Sequence, residues 1–449
     1  MTRRTNEKSD LRIFIGVSEI SGFYTNLQKG FREIGVDSDF VCLAGHPFQY
    51  GTGKRSRFVI GWLEALGQRM TSTPRQHRVR RLAWTLAWVL LREVTRGPVF
   101  VWALCRYDVF IFRSIGNLLW FLDLPIMKLL GKRVIYVFHG SDARPYYLNG
   151  AYHLDGPPPN MHKCILITRI QKTFMSIINK YADVIICAPS VSHFQQRPIV
   201  SSLALGLPFE APTSGDAGGR QDGRLRIVHA PSRLQAKGTP KIRAAVNAAI
   251  AAGHDIDYIE IVGQPNAVVL KELQRCDFVI DELYSDSPMP SLVAEAAYFG
   301  KPSIICGYYA DKIHEDVPAE AVPPSCYVNP DSFDEIFQRM LSDVDYRTRQ
   351  GERGRAFLTD YWSPAKVAAR YKRVIDDDIP TDWMYDPMHL RYVHGFGFTE
   401  HKLRDFLRKY NARGGRRALH LEDKPELEQA VMTLAQEPLE ENNDETDPC

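Results

Sequence analysis

The sequence has few of the features that mark a membrane-spanning, metal-binding or disulfide-bonded protein. Its eight cysteines are scattered, and none lies in a CxxC pair or in a cluster with histidine. This spacing argues against a zinc site and predicts buried thiols in a reducing compartment. No apolar run approaches the ~20 residues that a transmembrane helix needs. The first residues lack the apolar core of a signal peptide. We therefore expect a cytoplasmic protein that uses no metal and no other cofactor.

Positive and negative charges are also nearly balanced, with a formal net charge of +3 over 449 residues, so the net charge alone excludes few classes of partner. Its distribution is more informative. Residues 54–106 contain eleven Lys or Arg and only two acids, a local balance of +9, which leaves −6 for the rest. Within this segment Trp84, Trp88 and Leu91 share one predicted helical face, flanked by arginines. This composition is typical of a helix in an anionic membrane interface. Nucleic acid is the competing partner, which the apolar face disfavours; simple packing on the sheet is the other alternative.

Strand-like and helix-like segments alternate along most of the chain, which predicts an α/β fold with parallel sheets. The alternation runs from "LRIFIGV" to "ADVIICAPS", is interrupted by "FEAPTSGDAGGRQDG", and restarts at "RLRIVHAPS". The interruption is typical of an interdomain linker. The expected parts are an N-terminal Rossmann-like domain (1–210), a linker (211–223), a C-terminal Rossmann-like domain (224–363), a crossover helix back to the first domain (364–379), and a short helical extension ending in a disordered acidic tail (380–449).

Ligands of such sheets bind beyond the C-terminal strand ends, so a cleft between the two domains is the expected site. In "HAPSRLQAKGT", Arg233 and Lys237 follow a predicted strand and precede a helix. Two cations beside helix N-terminal amides suit a diphosphate. A solvated basic loop is the alternative.

Two further residues point to the same cleft. Glu295 lies in the otherwise apolar helix pattern of "SLVAEAAYFG". A carboxylate near a helix start can accept two hydroxyls of a ribose; the alternative is the exposed side of an amphipathic helix. His139 follows an apolar strand in "VFHGSD", where its side chain would enter the cleft.

Together these segments resemble the GT-B fold glycosyltransferases of the retaining family-4 kind. "SRLQAKGT" resembles the family's G-R-L-x-x-x-K-G segment, one residue shorter, and "HGSD" its H-G-x-D loop. "SPMPSLVAEAAYFGKPSII" resembles its E-G-x-P-x-x-x-x-E-A segment. The resemblance, over roughly residues 11–372, implies that Glu295 holds the ribose of a nucleotide-sugar donor. It implies that Arg233 and Lys237 hold the diphosphate without a metal, and that His139 touches the transferred sugar. The acceptor would be lipid-linked or a polysaccharide in cell-surface glycan synthesis, and the enzyme would lie at the cytoplasmic face of the membrane.

One departure from the family pattern concerns the donor sugar. Ser287 stands where the family has the first acid of its E-x7-E pair, and Glu282, Asp286 and Asp281 are the nearby candidates to replace that acid. The other donor contacts expected are Ser291 and Leu292 at the helix start, and Gly22 in the N-terminal loop "SEISGFY". A non-catalytic protein that binds a nucleotide sugar or glycan, and a sugar-nucleotide epimerase of similar fold, are the alternative functions.

Overall fold

The computed structural model describes residues 11–44, 94, 96–114, 116–212 and 223–437. Most of the basic, aromatic segment, most of the predicted linker and the acidic tail lie outside these residues. The described residues include the strands β1 (Ile13–Ser18), β2 (Ser38–Ala44), β3 (Val109–Arg113), β4 (Arg133–Val137), β5 (Val184–Cys187), β6 (Ile199–Ser201), β7 (Leu225–His229), β8 (Ile256–Glu260), β9 (Phe278–Ile280), β10 (Ser303–Cys306), β11 (Cys326–Val328) and β12 (Met384–Tyr385).

The strands form two sheets, one in each domain. The first has the order β12-β6-β5-β4-β3-β1-β2, with all pairs parallel except β12 and β6. The second has the order β11-β10-β9-β7-β8 and is parallel throughout. Both strand orders reverse between the first and third strands of the domain. Each sheet therefore has a crevice at the carboxyl ends of these strands: β1 and β3 in one domain, β7 and β9 in the other.

Helices cover both faces of each sheet, because strands buried on both sides need two apolar layers. Residues 96–106 are helical and precede β3. The other helices are α1 (Phe23–Glu33), α2 (Asp123–Leu129), α3 (Met161–Tyr181), α4 (Ser202–Leu205), α5 (Thr239–Ala251), α6 (Asn266–Arg275), α7 (Ser291–Tyr298), α8 (Ile313–Asp316), α9 (Phe333–Ser342), α10 (Val344–Asp360), α11 (Pro364–Ile375), α12 (Glu400–Gly414) and α13 (Pro425–Gln436).

The chain returns to the N-terminal domain after the second sheet. Helix α11 packs along α1, β12 adds an antiparallel edge strand to the first sheet, and α12 packs on α3 and α13. The fold class predicted from the sequence, two Rossmann-like domains with a helical C-terminal extension, is confirmed. The chain has the GT-B fold.

The contact between α1 and α11 depends on Gly30. A Cβ at this position would lie 2.0 Å from the carbonyl oxygen of Pro364 and 2.9 Å from the Cβ of Ala368. We expect Gly30→Ala to lower the free energy of unfolding by about 1–3 kcal/mol, because two backbones would have to separate. Urea denaturation measures the loss. Gly97→Ala, a helical glycine with no atom within 4 Å of the added methyl, is the matched control and should not destabilise. Equal stability of the two variants would contradict the packing argument.

Candidate functional site

Lys237 lies at the crevice of the second domain, in the loop between β7 and α5. Its side chain is mostly buried, and its Nζ lies 2.7 Å from Asp281 Oδ1 and 2.7 Å from Glu282 Oε2. Both acids directly follow β9, the neighbouring strand. Because β7 and β9 are parallel neighbours, Lys237 meets Asp281 and Glu282, which lie 44 and 45 residues later in the chain.

This pairing affects the protonation of Lys237 and of Glu282. Burial lowers the pKa of Lys237, but Asp281 and Glu282 outweigh burial and leave that pKa raised, so the ammonium stays charged. Burial raises the pKa of Glu282, and Lys237 opposes this rise. An ammonium has three N–H donors, and two of them serve these carboxylates. Lys237 therefore retains one donor for a ligand.

Arg233 lies in the same loop but is exposed. Its side chain makes no hydrogen bond or ion pair with any residue that the structure describes. Two amides of this loop are already used, because Asp155 of the N-terminal domain accepts from Gln235 N at 2.8 Å and from Ala236 N at 3.2 Å. Of the two predicted anion-binding cations, Arg233 is the accessible one.

Glu295 lies midway along α7, between buried Ala294 and Ala296, as its apolar neighbours in sequence suggested. Its Oε1 accepts a hydrogen bond of 3.0 Å from Asn266 Nδ2 at the start of α6. Burial raises the pKa of Glu295 to about 7; the bond from Asn266 opposes the rise, and the charge of Asp281 adds to it. Near neutral pH this carboxyl group can therefore both accept and donate hydrogen bonds.

Ser291 and Leu292 form the first turn of α7. Ser291 is exposed, whereas Leu292 packs against the apolar cluster of β7 and α6. Only Ser291 is thus placed to meet a ligand with its side chain.

Glu282 and Asp286, two candidates to replace the missing family acid, each pair with a cation of the protein. Glu282 faces Lys237. Asp286 is buried against Arg144, which follows β4 in the other domain; Arg144 Nε donates to Asp286 Oδ2 at 2.7 Å and Nη2 to the same oxygen. Ser190 Oγ, also of the N-terminal domain, donates to the Asp286 carbonyl oxygen at 2.9 Å. Asp286 thus joins the two domains.

Ser287 follows this junction in a local turn. Its backbone N–H donates to Ser285 Oγ at 3.1 Å, and that hydroxyl donates to the Ser287 carbonyl oxygen at 2.9 Å. The donor-sugar contact predicted for Glu282 or Asp286 stays a prediction.

His139 lies beyond β4 in the N-terminal domain and is half-buried. Its Nε2 lies 2.9 Å from Tyr24 Oη, and its backbone N–H donates to Asp142 Oδ1 at 2.8 Å. Burial lowers the pKa of His139 to about 3, and the positive charge of Arg113 contributes. The imidazole is therefore neutral at physiological pH and acts as a hydrogen-bonding group rather than a cation.

Gly22 serves the turn into α1, where its φ of +78° favours glycine. The adjacent amides are filled by Glu19. Its Oε1 accepts from Ile20 N and Tyr24 N, and its Oε2 accepts from Thr25 N at 2.9 Å and Thr25 Oγ1 at 2.6 Å. The start of α1, where helix amides favour an anion, thus already holds a carboxylate of the protein.

Sequence reasoning missed four residues of this region: Glu19, Arg113, Arg144 and Asp155. Arg113 ends β3, where its Nε lies 3.9 Å from Asp142 Oδ2 and its Nη1 3.5 Å from Ser18 Oγ, both long contacts. A cation ending the apolar run "VFIFR" was a usable signal. Arg144 and Asp155 had none, because their partners lie 142 and about 80 residues away.

Among the described residues, no group of three or more His, Cys, Asp or Glu side chains is arranged to hold a metal ion. Within the same residues, no helix has the length and apolar character needed to cross a bilayer.

Comparisons with known proteins add similarities of fold. No protein-family model and no curated protein matches the chain. Similar solved structures include the catalytic domain of starch synthase IV from Arabidopsis thaliana with ADP and acarbose (10% identity, 82% of this chain and 99% of that chain, TM-score 0.48). HepE from Anabaena with UDP-glucose has 9% identity over 82% and 99% of the two chains (TM-score 0.44). The glycosyltransferase SnogD from Streptomyces nogalater has 14% identity over 82% and 99% (TM-score 0.39). These likenesses assign no activity to this chain.

The protonation of Glu295 gives a pH test of its environment. Its folded pKa of about 7 lies above the ordinary value of 4.5. Below pH ~4.5 the protonated Glu295 carboxyl costs no stability, and its cost grows as pH rises through 7, because the buried carboxyl must then ionise. We compare the free energy of unfolding of Glu295→Gln with that of the wild type. We expect this difference to rise in favour of the variant by about 1–3 kcal/mol from pH 5 to pH 8. Urea denaturation at both pH values measures this. Glu335→Gln, at an exposed position of α9, is the control. A gain independent of pH would contradict the raised pKa.

The Arg144–Asp286 pair gives a second test. Arg144→Met leaves a buried carboxylate unpaired and should cost about 3–5 kcal/mol. Since burial also raises the pKa of Asp286, the loss should shrink as pH falls and that carboxyl is protonated. The double variant Arg144→Met/Asp286→Leu should recover most of the stability. A double variant as unstable as the single one would contradict a charge-based explanation.

Proposed function

We propose that this protein is a glycosyltransferase that moves a sugar from a nucleoside-diphosphate sugar to a lipid-linked or polysaccharide acceptor in cell-surface glycan synthesis. The observation that supports it best is the arrangement around the β7–β9 crevice. Exposed Arg233, charged Lys237 and the half-buried carboxyl of Glu295 surround the carboxyl ends of these two strands. A cationic end and a hydroxyl-binding end are what a diphosphate joined to a ribose requires.

Each residue has a role in this proposal. Glu295 binds the ribose hydroxyls, accepting from one and, when protonated, donating to another. Arg233 binds the diphosphate, and Lys237 adds its remaining N–H donor. Because Glu19 fills the start of α1, the phosphates depend on the C-terminal domain for positive charge. His139 contacts the sugar as a neutral hydrogen-bonding group.

The proposed reaction is transfer with retention. The bond between the anomeric carbon and the diphosphate oxygen breaks, and a bond to the acceptor oxygen forms on the same face of the sugar. The acceptor's proton passes to the departing phosphate oxygen, so no protein base is required. The charges of Arg233 and Lys237 stabilise the leaving diphosphate without a metal ion.

A second candidate, a non-catalytic nucleotide-sugar-binding protein, is favoured by one specific observation. Lys237 already pairs with Asp281 and Glu282, and the Asp286 carboxylate pairs with Arg144, so cations of the protein already hold these acids. A site arranged this way could bind a nucleotide while leaving the sugar without its catalytic contacts.

Binding and turnover distinguish the two candidates. We expect the wild-type protein to bind one of UDP-glucose, UDP-N-acetylglucosamine, GDP-mannose or ADP-glucose in calorimetry. Arg233→Ala and Lys237→Ala should each weaken that binding by about 10- to 100-fold, the effect of one charge-assisted hydrogen bond. Lys271→Ala, an exposed cation on α6, is the matched control.

The same donors are then tested for transfer to membrane-extracted acceptors, with product analysis. Transfer that is lost in Glu295→Ala while the variant remains folded supports the enzyme. Tight binding without transfer to any acceptor favours the second candidate, and epimerised donor without acceptor favours an epimerase. Binding unchanged in both cation variants would overturn the proposed site.

A further inference from the structure

One face of the N-terminal domain combines exposed apolar side chains with unpaired cations. The helical residues 96–106, α2 and α3 precede β3, β4 and β5, three strands reached by moving in one direction across the sheet. Right-handed crossovers therefore place all three helices on the same face. Helices α1 and α11 pack together, and α1 joins β1 to β2 in the opposite direction, so they cover the other face.

The outer side of α2 is unusually apolar. Leu122, Ile126, Leu129 and Leu130 recur at helical spacing, and three of them are more than half exposed: Leu122 at 70%, Leu129 at 86% and Leu130 at 56%. The opposite side of this helix is also apolar, with Leu124 and Met127 fully buried in the core. An isolated exposed leucine is ordinary, but a helix that exposes four large apolar residues together marks an interaction surface.

This surface continues onto the neighbouring helices. Phe121 stacks on Phe174 of α3 with ring centroids 4.9 Å apart, and α3 exposes Leu166 and Ile170. At the other end, exposed Trp120 lies under the Arg96 guanidinium, 5.0 Å from its ring centroid. We call this the α2–α3 face: Trp120, Leu122, Ile126, Leu129, Leu130, Leu166 and Ile170.

The charge of the α2–α3 face has one sign. Neither α3 nor residues 96–106 contain an acid, and Asp123, the acid of α2, is fully buried. Lys163, Arg169 and Lys180 of α3 are exposed and form no ion pair with any residue in the described ranges. The nearby Lys128 is paired with Asp183. Helix α3, which exposes Leu166 and Ile170, thus also carries three cations without a carboxylate partner among the described residues.

We infer that the α2–α3 face docks on an anionic lipid bilayer surface. Leucine, isoleucine and tryptophan side chains enter the boundary between headgroups and acyl chains, while Lys and Arg bind the lipid phosphates. A second copy of the chain fits less well, because a symmetric contact would place the three cations near their own images. Nucleic acid would satisfy the cations but leave the apolar side chains in water. The residues of the α2–α3 face lie outside the basic, aromatic segment 54–106, and the face does not depend on the proposed catalytic site.

Vesicle co-sedimentation of the full-length protein tests this inference. We expect binding to vesicles of phosphatidylglycerol and phosphatidylcholine, weak binding to phosphatidylcholine alone, and release at high salt. Leu122→Ser/Leu129→Ser/Leu130→Ser should weaken binding at least about tenfold, because each side chain loses its apolar contact with lipid. Lys163→Gln/Arg169→Gln/Lys180→Gln should weaken it by a similar factor and reduce its salt dependence.

The matched control is Ile250→Ser/Val262→Ser/Val268→Ser, which removes comparable exposed apolar side chains from the C-terminal domain, at 45%, 49% and 40% exposure. It should bind vesicles like the wild type. Thermal unfolding of all variants separates lost docking from lost folding, and nucleotide binding measured on the same samples separates this inference from the proposed function. Undiminished vesicle binding by both α2–α3 variants would overturn the inference. The inference would also be overturned if light scattering showed a dimer that only the leucine variant dissociates.

Discussion

Arg144 is the residue at which three parts of the chain meet. It belongs to the loop after β4, its guanidinium is buried against Asp286 of the second domain, and the ring of Phe396 from the C-terminal extension lies 5.1 Å away. Its carbonyl oxygen accepts from Gln171 Nε2 of α3 at 2.7 Å. A buried guanidinium is costly without an opposite charge beside it, so Arg144 and Asp286 must come together as the two domains assemble. The relative position of the two crevices depends on this assembly.

The C-terminal extension reinforces the junction from outside. Gly397 N–H donates to the Tyr284 carbonyl oxygen of the second domain at 2.8 Å, and Gly150 N–H of the first domain donates to the Phe396 carbonyl oxygen at 2.7 Å. The backbone approaches so closely that a Cβ at Gly397 would lie 2.9 Å from the Cβ of Ala236. The extension therefore passes directly beside the loop that carries Arg233 and Lys237, and shapes one wall of the candidate site.

The fold was predictable because its signals are local. Apolar runs such as "LRIFIGV" alternate with amphipathic stretches, and that rhythm specifies parallel sheets without knowledge of any contact. The apolar surroundings of Glu295 were predictable for the same reason, since they are read from residues within one helical turn. The partners of Lys237 and Asp286 were not, because pairing between distant loops depends on strand order. The packing of the extension was hidden as well, because α12 packs on α3, which lies far earlier in the chain.

The edge strand β12 has a consequence for biosynthesis. Residues 384–385 complete a sheet whose other strands end at residue 201, while α11 packs on α1 and α12 packs on α3. During synthesis the whole C-terminal domain therefore leaves the ribosome before the N-terminal domain can close its sheet and cover α1 and α3. The usual vectorial order, in which the first domain folds first, is reversed for the last step. The domain that is translated first is the domain that matures last, and until then its nascent surface must be kept from other chains.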